Sequence, residues 1–140
     1  MRSEDAPSLA ALDTKIRRIL HDALAAENAR WTGSLAQRAR LSLAIDTIGI
    51  RPAGSQSDSA GIVRAAMNAA KALGFASSTH ASSTDANIPI SLGIPAICIG
   101  GGGLGAGAHS LGEWYTDGSN GHLGPQWAAL LVAALAGVKQ

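Results

Sequence analysis

The sequence predicts an α/β fold, and three observations carry that prediction. Apolar residues recur at three- and four-residue steps over residues 8–31, the period of an amphipathic helix. Residues 38–48 alternate instead. Leu41, Leu43 and Ile45 fall on one side and Arg40, Ser42 and Asp46 on the other, as in a strand with one buried face. Residues 94–99 form a short apolar run between Gly93 and Gly100, which suits a strand covered on both faces.

Taken in order, residues 1–7 are polar and read as a frayed end. Ser8 is placed to cap the first helix. Leu9, Leu12, Ile16, Leu20, Ala23 and Leu24 make its apolar stripe, and Gly33 stops it after Trp31. Lys15, Arg17, Arg18, Asp22 and Glu27 fill the other side, where His21 reads as solvated. The alternating strand follows. Residues 49–57, GIRPAGSQS, then read as a crossing between two units. Arg51 lies in that crossing. A guanidinium there suits a carboxylate, either of a surface acid or of a bound molecule.

Ser57 or Asp58 is expected to cap a second helix with a stripe of Ile62, Ala66, Met67, Ala70 and Leu73, ended by Gly74. Residues 75–80 read as a further strand, and His80 as a hydrogen-bonded structural histidine. Residues 82–87, SSTDAN, combine small hydroxyls with an acid and an amide. Such residues bond backbone groups in turns and at helix starts, so a cap for the segment reaching Leu92 is expected. Pro125 suits the first turn of a last helix that is apolar nearly all round over 127–135.

The stretch 82–115 gathers the chemistry. After the apolar run come six glycines in the eight positions 100–107, then His109, Ser110 and Glu113. A loop so rich in glycine loses much entropy on ordering, and close backbone approach to a ligand is the usual compensation. Gly100, Gly102 and Gly105 formally match G-x-G-x-x-G. No helical period follows the loop, however, so a dinucleotide site is excluded, and a P-loop fails for want of G-K-[ST]. His109 stands where a strand end presents a side chain rather than packing it.

Composition narrows the function classes. Charged residues make up 15% of the chain and hydrophobic ones 46%, so part of the surface is expected to be covered. The net charge of +1 gives no nucleic-acid footprint. The first residues lack the apolar core of a signal peptide, and no run reaches the roughly 20 residues of a membrane span. A single cysteine, Cys98, excludes an intramolecular disulfide and fits a reducing compartment. It is expected to be a buried core thiol. A cytoplasmic protein that binds neither nucleic acid nor membrane is the expectation.

The segment STDANIPISLGIPAICIGGGG followed by AHSLGEWY resembles the C-terminal catalytic part of the zinc-dependent peptidase M-twenty family, which includes peptidase T, carboxypeptidase G and aminoacylase. The resemblance reaches upstream through IGIRPAG to AENARW, and so covers nearly the whole chain. It implies that residues 1–50 are the C-terminal half of an α+β lid, or dimerisation, domain. Residues 51–140 would be the C-terminal portion of a mixed-sheet di-zinc catalytic domain.

The resemblance also assigns roles. His109, in its A-H-S context, would be a zinc ligand. Arg51, Asp85, Asn87, Gly101 and Gly102 would line the substrate side, and Glu113, or else Asp85, would support the ligand as the acceptor that fixes its tautomer. The substrate would be a small peptide or N-acyl amino acid, cleaved at an amide bond with the help of two zinc ions.

The family's H-x-D motif and Glu-Glu pair are absent from this sequence. One imidazole does not make a catalytic zinc site, which takes about three protein ligands. The expectation is therefore an inactive chain when alone, associated with an upstream catalytic segment or with further copies of itself. The other reading is a non-catalytic binding or assembly module derived from such an enzyme.

Overall fold

A computed structural model describes residues 1–34 and 40–137, and the chain divides into two units, Met1–Ser55 and Gln56–Gln140. Among the described residues the elements are α1 (Ala6–Ala29), α2 (Gly61–Ala72), α3 (Asn87–Ser91), β1 (Leu104–Ala106), β2 (Trp114–Thr116) and α4 (Leu123–Ala136). Helices and a small antiparallel sheet are thus both present, which agrees with a mixed α and β class.

In the first unit, α1 is capped three residues earlier than expected. Asp5 is the N-cap, and its Oδ2 accepts the Ser8 N–H at 2.8 Å, so Ser8 is the donor in the cap and Pro7 fills the first turn. Leu9, Ile16 and Leu24 of the expected stripe are half-buried, while Leu12 and Leu20 are exposed. Arg17 pairs with Asp13 one turn back at 2.8 Å. Both partners are open to water, so the pair contributes only about 0.3–0.5 kcal/mol.

Residues 40–48 form no strand, contrary to their alternation; residues 38 and 39 of the expected strand lie outside the described residues. A ladder needs a second main chain, and here Leu41 meets a side chain instead. The Asn28 amide donates to the Leu41 carbonyl at 3.0 Å and accepts the Leu41 N–H at 2.9 Å. The alternation survives only in part in burial, because Leu41 is exposed. Leu43 and Ile45 are half-buried while Ser42, Ala44 and Asp46 are exposed.

The second unit is organised by α2 against α4. Val63, Ala66, Ala69 and Ala70 are buried on α2, and Leu131 on α4. The buried stripe is therefore turned from the expected one, and Met67 is exposed. Small residues on α2 let the helices approach closely, and Trp127 fills the space beside them. Its Nε1–H donates to the Ala66 carbonyl at 2.8 Å, and Phe75 meets its ring edge-on at a centroid distance of 5.3 Å. Gly74, at φ 85°, ends α2 as expected, and the Phe75 N–H returns to the Ala70 carbonyl at 3.2 Å.

The expected strands at 75–80 and 94–99 are not formed either. The main chain of Ala96 is again taken by a carboxamide, that of Gln56, which donates to its carbonyl at 2.5 Å and accepts its N–H at 3.3 Å. Ala96, Ile97 and Ile99 are half-buried, but Ile94 and Cys98 are exposed, so Cys98 is not the core thiol expected of it. The sheet lies where glycine masked it. β1 and β2 pair antiparallel with Leu104 opposite Thr116, Gly105 opposite Tyr115 and Ala106 opposite Trp114.

Candidate functional site

β1 and β2 are joined by residues 107–113, and His109 sits in that loop. Two successive turns build it. The Ser110 N–H donates to the Gly107 carbonyl at 3.0 Å, and the Glu113 N–H to the Ser110 carbonyl at 3.2 Å. Ser110 reinforces both, because its Oγ–H donates to the Gly107 carbonyl at 2.7 Å and its Oγ accepts the Gly112 N–H at 3.2 Å. His109 is the third residue of the first turn, with φ 64°. Glycine or asparagine normally takes that place in a type II turn. A left-handed backbone costs a side chain roughly 1–2 kcal/mol. Among the described residues His109 alone adopts a positive φ without being glycine. Strain of this kind persists where the surroundings over-determine it, and it concentrates at functional sites.

Glu113 lies at the far end of the second turn. Its Oε2 accepts the main-chain N–H of His109 at 3.3 Å. The carboxylate thus meets the backbone of His109, where the sequence reading had it meet the ring. Both residues are exposed, as a presented group must be.

The glycine loop closes on the start of α4. A Cβ on Gly102, whose φ is 84°, would come within 2.6 Å of the Gly121 carbonyl, and a Cβ on Gly124 would run into the Gly101 carbonyl. Backbone-to-backbone packing therefore accounts for glycine at these positions, while the α-carbons of Gly100 and Gly101 face open space. Tyr115 of β2 reaches the same loop, its hydroxyl lying 3.4 Å from the Gly102 carbonyl as well as 3.1 Å from Asp117 Oδ1. Partial desolvation, followed by the bond to Asp117, holds its hydroxyl above the usual tyrosine pKa.

Asp85 and Asn87 lie in the turn that enters α3. The N-cap position of α3 is Ala86 and carries no side-chain cap bond, contrary to the cap expected of residues 82–87. Thr84 instead closes the turn before the helix, its Oγ1 accepting the Ala86 N–H at 3.3 Å and its carbonyl the Asn87 N–H at 3.1 Å. Asp85 is exposed and Asn87 half-buried. Arg51 belongs to the first unit, where with Met1, Arg2, Ile48, Gly49 and Ile50 it lines an open cavity of about 450 Å³. His21, His80 and His122 are all exposed, and His80 Nε2 lies 2.8 Å from Ser78 Oγ.

Among the described residues no three His, Cys, Asp or Glu side chains converge to hold a metal ion. The donor set around His109 is one imidazole with a neighbouring carboxylate turned to the main chain, which falls short of a zinc site. No helix is long and apolar enough to cross a membrane among those residues. No protein-family model matches the chain, and no curated protein matches it either.

Proposed function

We propose that this chain is the C-terminal segment of a zinc-dependent amidohydrolase of the peptidase M-twenty type, acting on small peptides or N-acyl amino acids. The observation that carries the reading is His109. It is an exposed imidazole held in a strained turn directly after a glycine loop, within the A-H-S context of the resemblance. His109 would supply one ligand, and the remaining donors would come from residues outside this chain. Zinc, when bound, would polarise the scissile carbonyl and lower the pKa of its water. What this chain's residues do is narrower. The double turn presents His109, the packed glycines set the loop against α4, and Asp85 and Asn87 are candidates to orient the substrate.

Apolar exposure supports an incomplete assembly. On α4, Val132 is 65% and Leu135 51% exposed, in a helix that carries no charged residue. Helices apolar all round are normally covered. An upstream catalytic segment, or a second copy, is the partner this reading requires.

The test is metal analysis of the purified chain with a panel of dipeptides and N-acyl amino acids, followed by addition of the segment encoded immediately upstream. The expected result is neither stoichiometric zinc nor turnover for the chain alone, and metal-dependent turnover once a segment with H-x-D and Glu-Glu is supplied. Zinc at stoichiometry with turnover by the chain alone would overturn this account.

A further inference from the structure

We infer that Glu113 is the positioning residue for His109 and acts on it through the main chain, without touching the imidazole. The two turns at 107–110 and 110–113 share Ser110, which brings the fourth residue after His109 back over it. Glu113 Oε2 then accepts the His109 N–H at 3.3 Å. In a peptide, φ is the rotation about N–Cα. The N–H lies on one side of that bond and Glu113, further along the chain, on the other. The hydrogen bond between them therefore restrains φ near 64° together with the dihedrals in between, and with it the direction in which Cβ leaves the backbone. The imidazole is aimed without either ring nitrogen being occupied. A carboxylate is suited to this, because a hydrogen bond to an ionised acceptor is stronger than one to a neutral carbonyl. Neighbouring contacts point the same way. Ser110 closes both turns with its hydroxyl, and Gly107 lies against the Gly112 carbonyl so closely that a Cβ there would come within 2.8 Å of it.

That this aiming serves metal binding rests on the function proposed above; the positioning itself does not. Nuclear magnetic resonance of the whole chain tests it, comparing the wild type with Glu113→Ala and Glu113→Gln. In the wild type, His109 shows the strong intraresidue amide-to-Hα Overhauser effect of a positive φ. In Glu113→Ala that effect is lost and exchange of the His109 amide rises about tenfold. Glu113→Gln keeps an acceptor oxygen and restores both, a rescue that a general packing role would not give. Circular dichroism unchanged across the three proteins shows that the fold is retained. If Glu113→Ala unfolds the chain, the comparison of wild type with Glu113→Gln and Glu113→Lys carries the test. An unchanged His109 signature in Glu113→Ala, or failure of Glu113→Gln to restore it, overturns the proposal. Metal-dependent turnover of the completed enzyme that survives His109→Ala would instead sink the zinc-ligand reading and leave the resonance result standing.

Discussion

Gln56 holds Ala96 by both of its main-chain polar groups, 40 residues apart in sequence. A carboxamide has the same donor and acceptor pair as a peptide group, so one side chain does locally what a neighbouring strand does along its length. Asn28 stands in the same relation to Leu41 in the first unit.

Gln56→Ala should therefore loosen residues 94–99 with little effect elsewhere. Removal leaves a partly buried N–H and carbonyl without these partners, at a cost of about 1–3 kcal/mol. Hydrogen exchange is expected to quicken over 94–99 and stay unchanged in α1. Uniform acceleration across the second unit, or none, would show that the pair does not hold this segment. Gln56→Glu should fail to substitute, because it keeps the acceptor for the Ala96 N–H but loses the donor to its carbonyl.

Trp127 should be the most sensitive position between α2 and α4. It combines the bond to Ala66, the edge-on contact with Phe75 and a large apolar area beside a core made mostly of alanine. Trp127→Ala is expected to cost about 3–5 kcal/mol. Trp127→Phe keeps most of the area but loses the N–H, and should cost about 1 kcal/mol. Denaturant unfolding of both variants measures the difference. A Trp127→Phe midpoint equal to that of the wild type would mean that the indole bond contributes nothing.

Those two contacts show what was legible in the sequence. Helices reported themselves. The three-to-four-residue period over 8–31, Gly74 after α2 and Pro125 in α4 all describe segments whose hydrogen bonds are satisfied locally. Strands did not, because a strand is completed by a partner that the local pattern does not name. Residues 40–48 alternate as a strand does, yet Asn28 takes the main chain of Leu41. The pairing of Leu104–Ala106 with Trp114–Thr116 was hidden by a glycine-rich composition that argues against strand. At the site, His109 was legible from its place after the glycine loop. Its positive φ, and the bond from its N–H to Glu113, depend on a double turn that the A-H-S-L-G-E string does not announce.

The start of α1 should respond to acid through Asp5. Hydrogen bonds from Ser8, through its side chain first and its main-chain N–H second, hold the Asp5 carboxyl below its usual pKa of 3.8. Because the folded-state value is depressed, the stabilisation is present above the unfolded value and is lost as pH falls through the folded one. The first turn of α1 is expected to fray as pH drops below about 4, the ordinary carboxylate range. Amide exchange at Ser8 and Leu9 from pH 6 to pH 2 follows it. In Asp5→Asn, which still accepts the Ser8 N–H, that pH dependence should vanish. Fraying at the same pH in the variant would assign the effect to another group.

His109→Gly should make the chain more stable while abolishing whatever the imidazole does. Glycine adopts φ near 64° without the contact between Cβ and the backbone that a side chain suffers. Relief of that contact recovers the roughly 1–2 kcal/mol of a left-handed residue. The greater freedom of glycine in the unfolded chain takes back about 0.4–1 kcal/mol, so a net gain of about 0.5–1 kcal/mol is expected. His109→Ala keeps a Cβ, and because the ring is exposed it should leave stability nearly unchanged. His109→Val adds branching at Cβ and should lose more than 1 kcal/mol, since a β-branched residue tolerates this region least. Denaturant midpoints of the three variants beside wild type decide the matter. The order Gly above wild type, Ala close to it and Val below is the signature of a strained turn. If Gly lies at or below Ala, the backbone at 109 is relaxed and the argument from strain to function fails. If the order holds, the chain retains at 109 a residue that costs it stability, as the metal-ligand role proposed above requires.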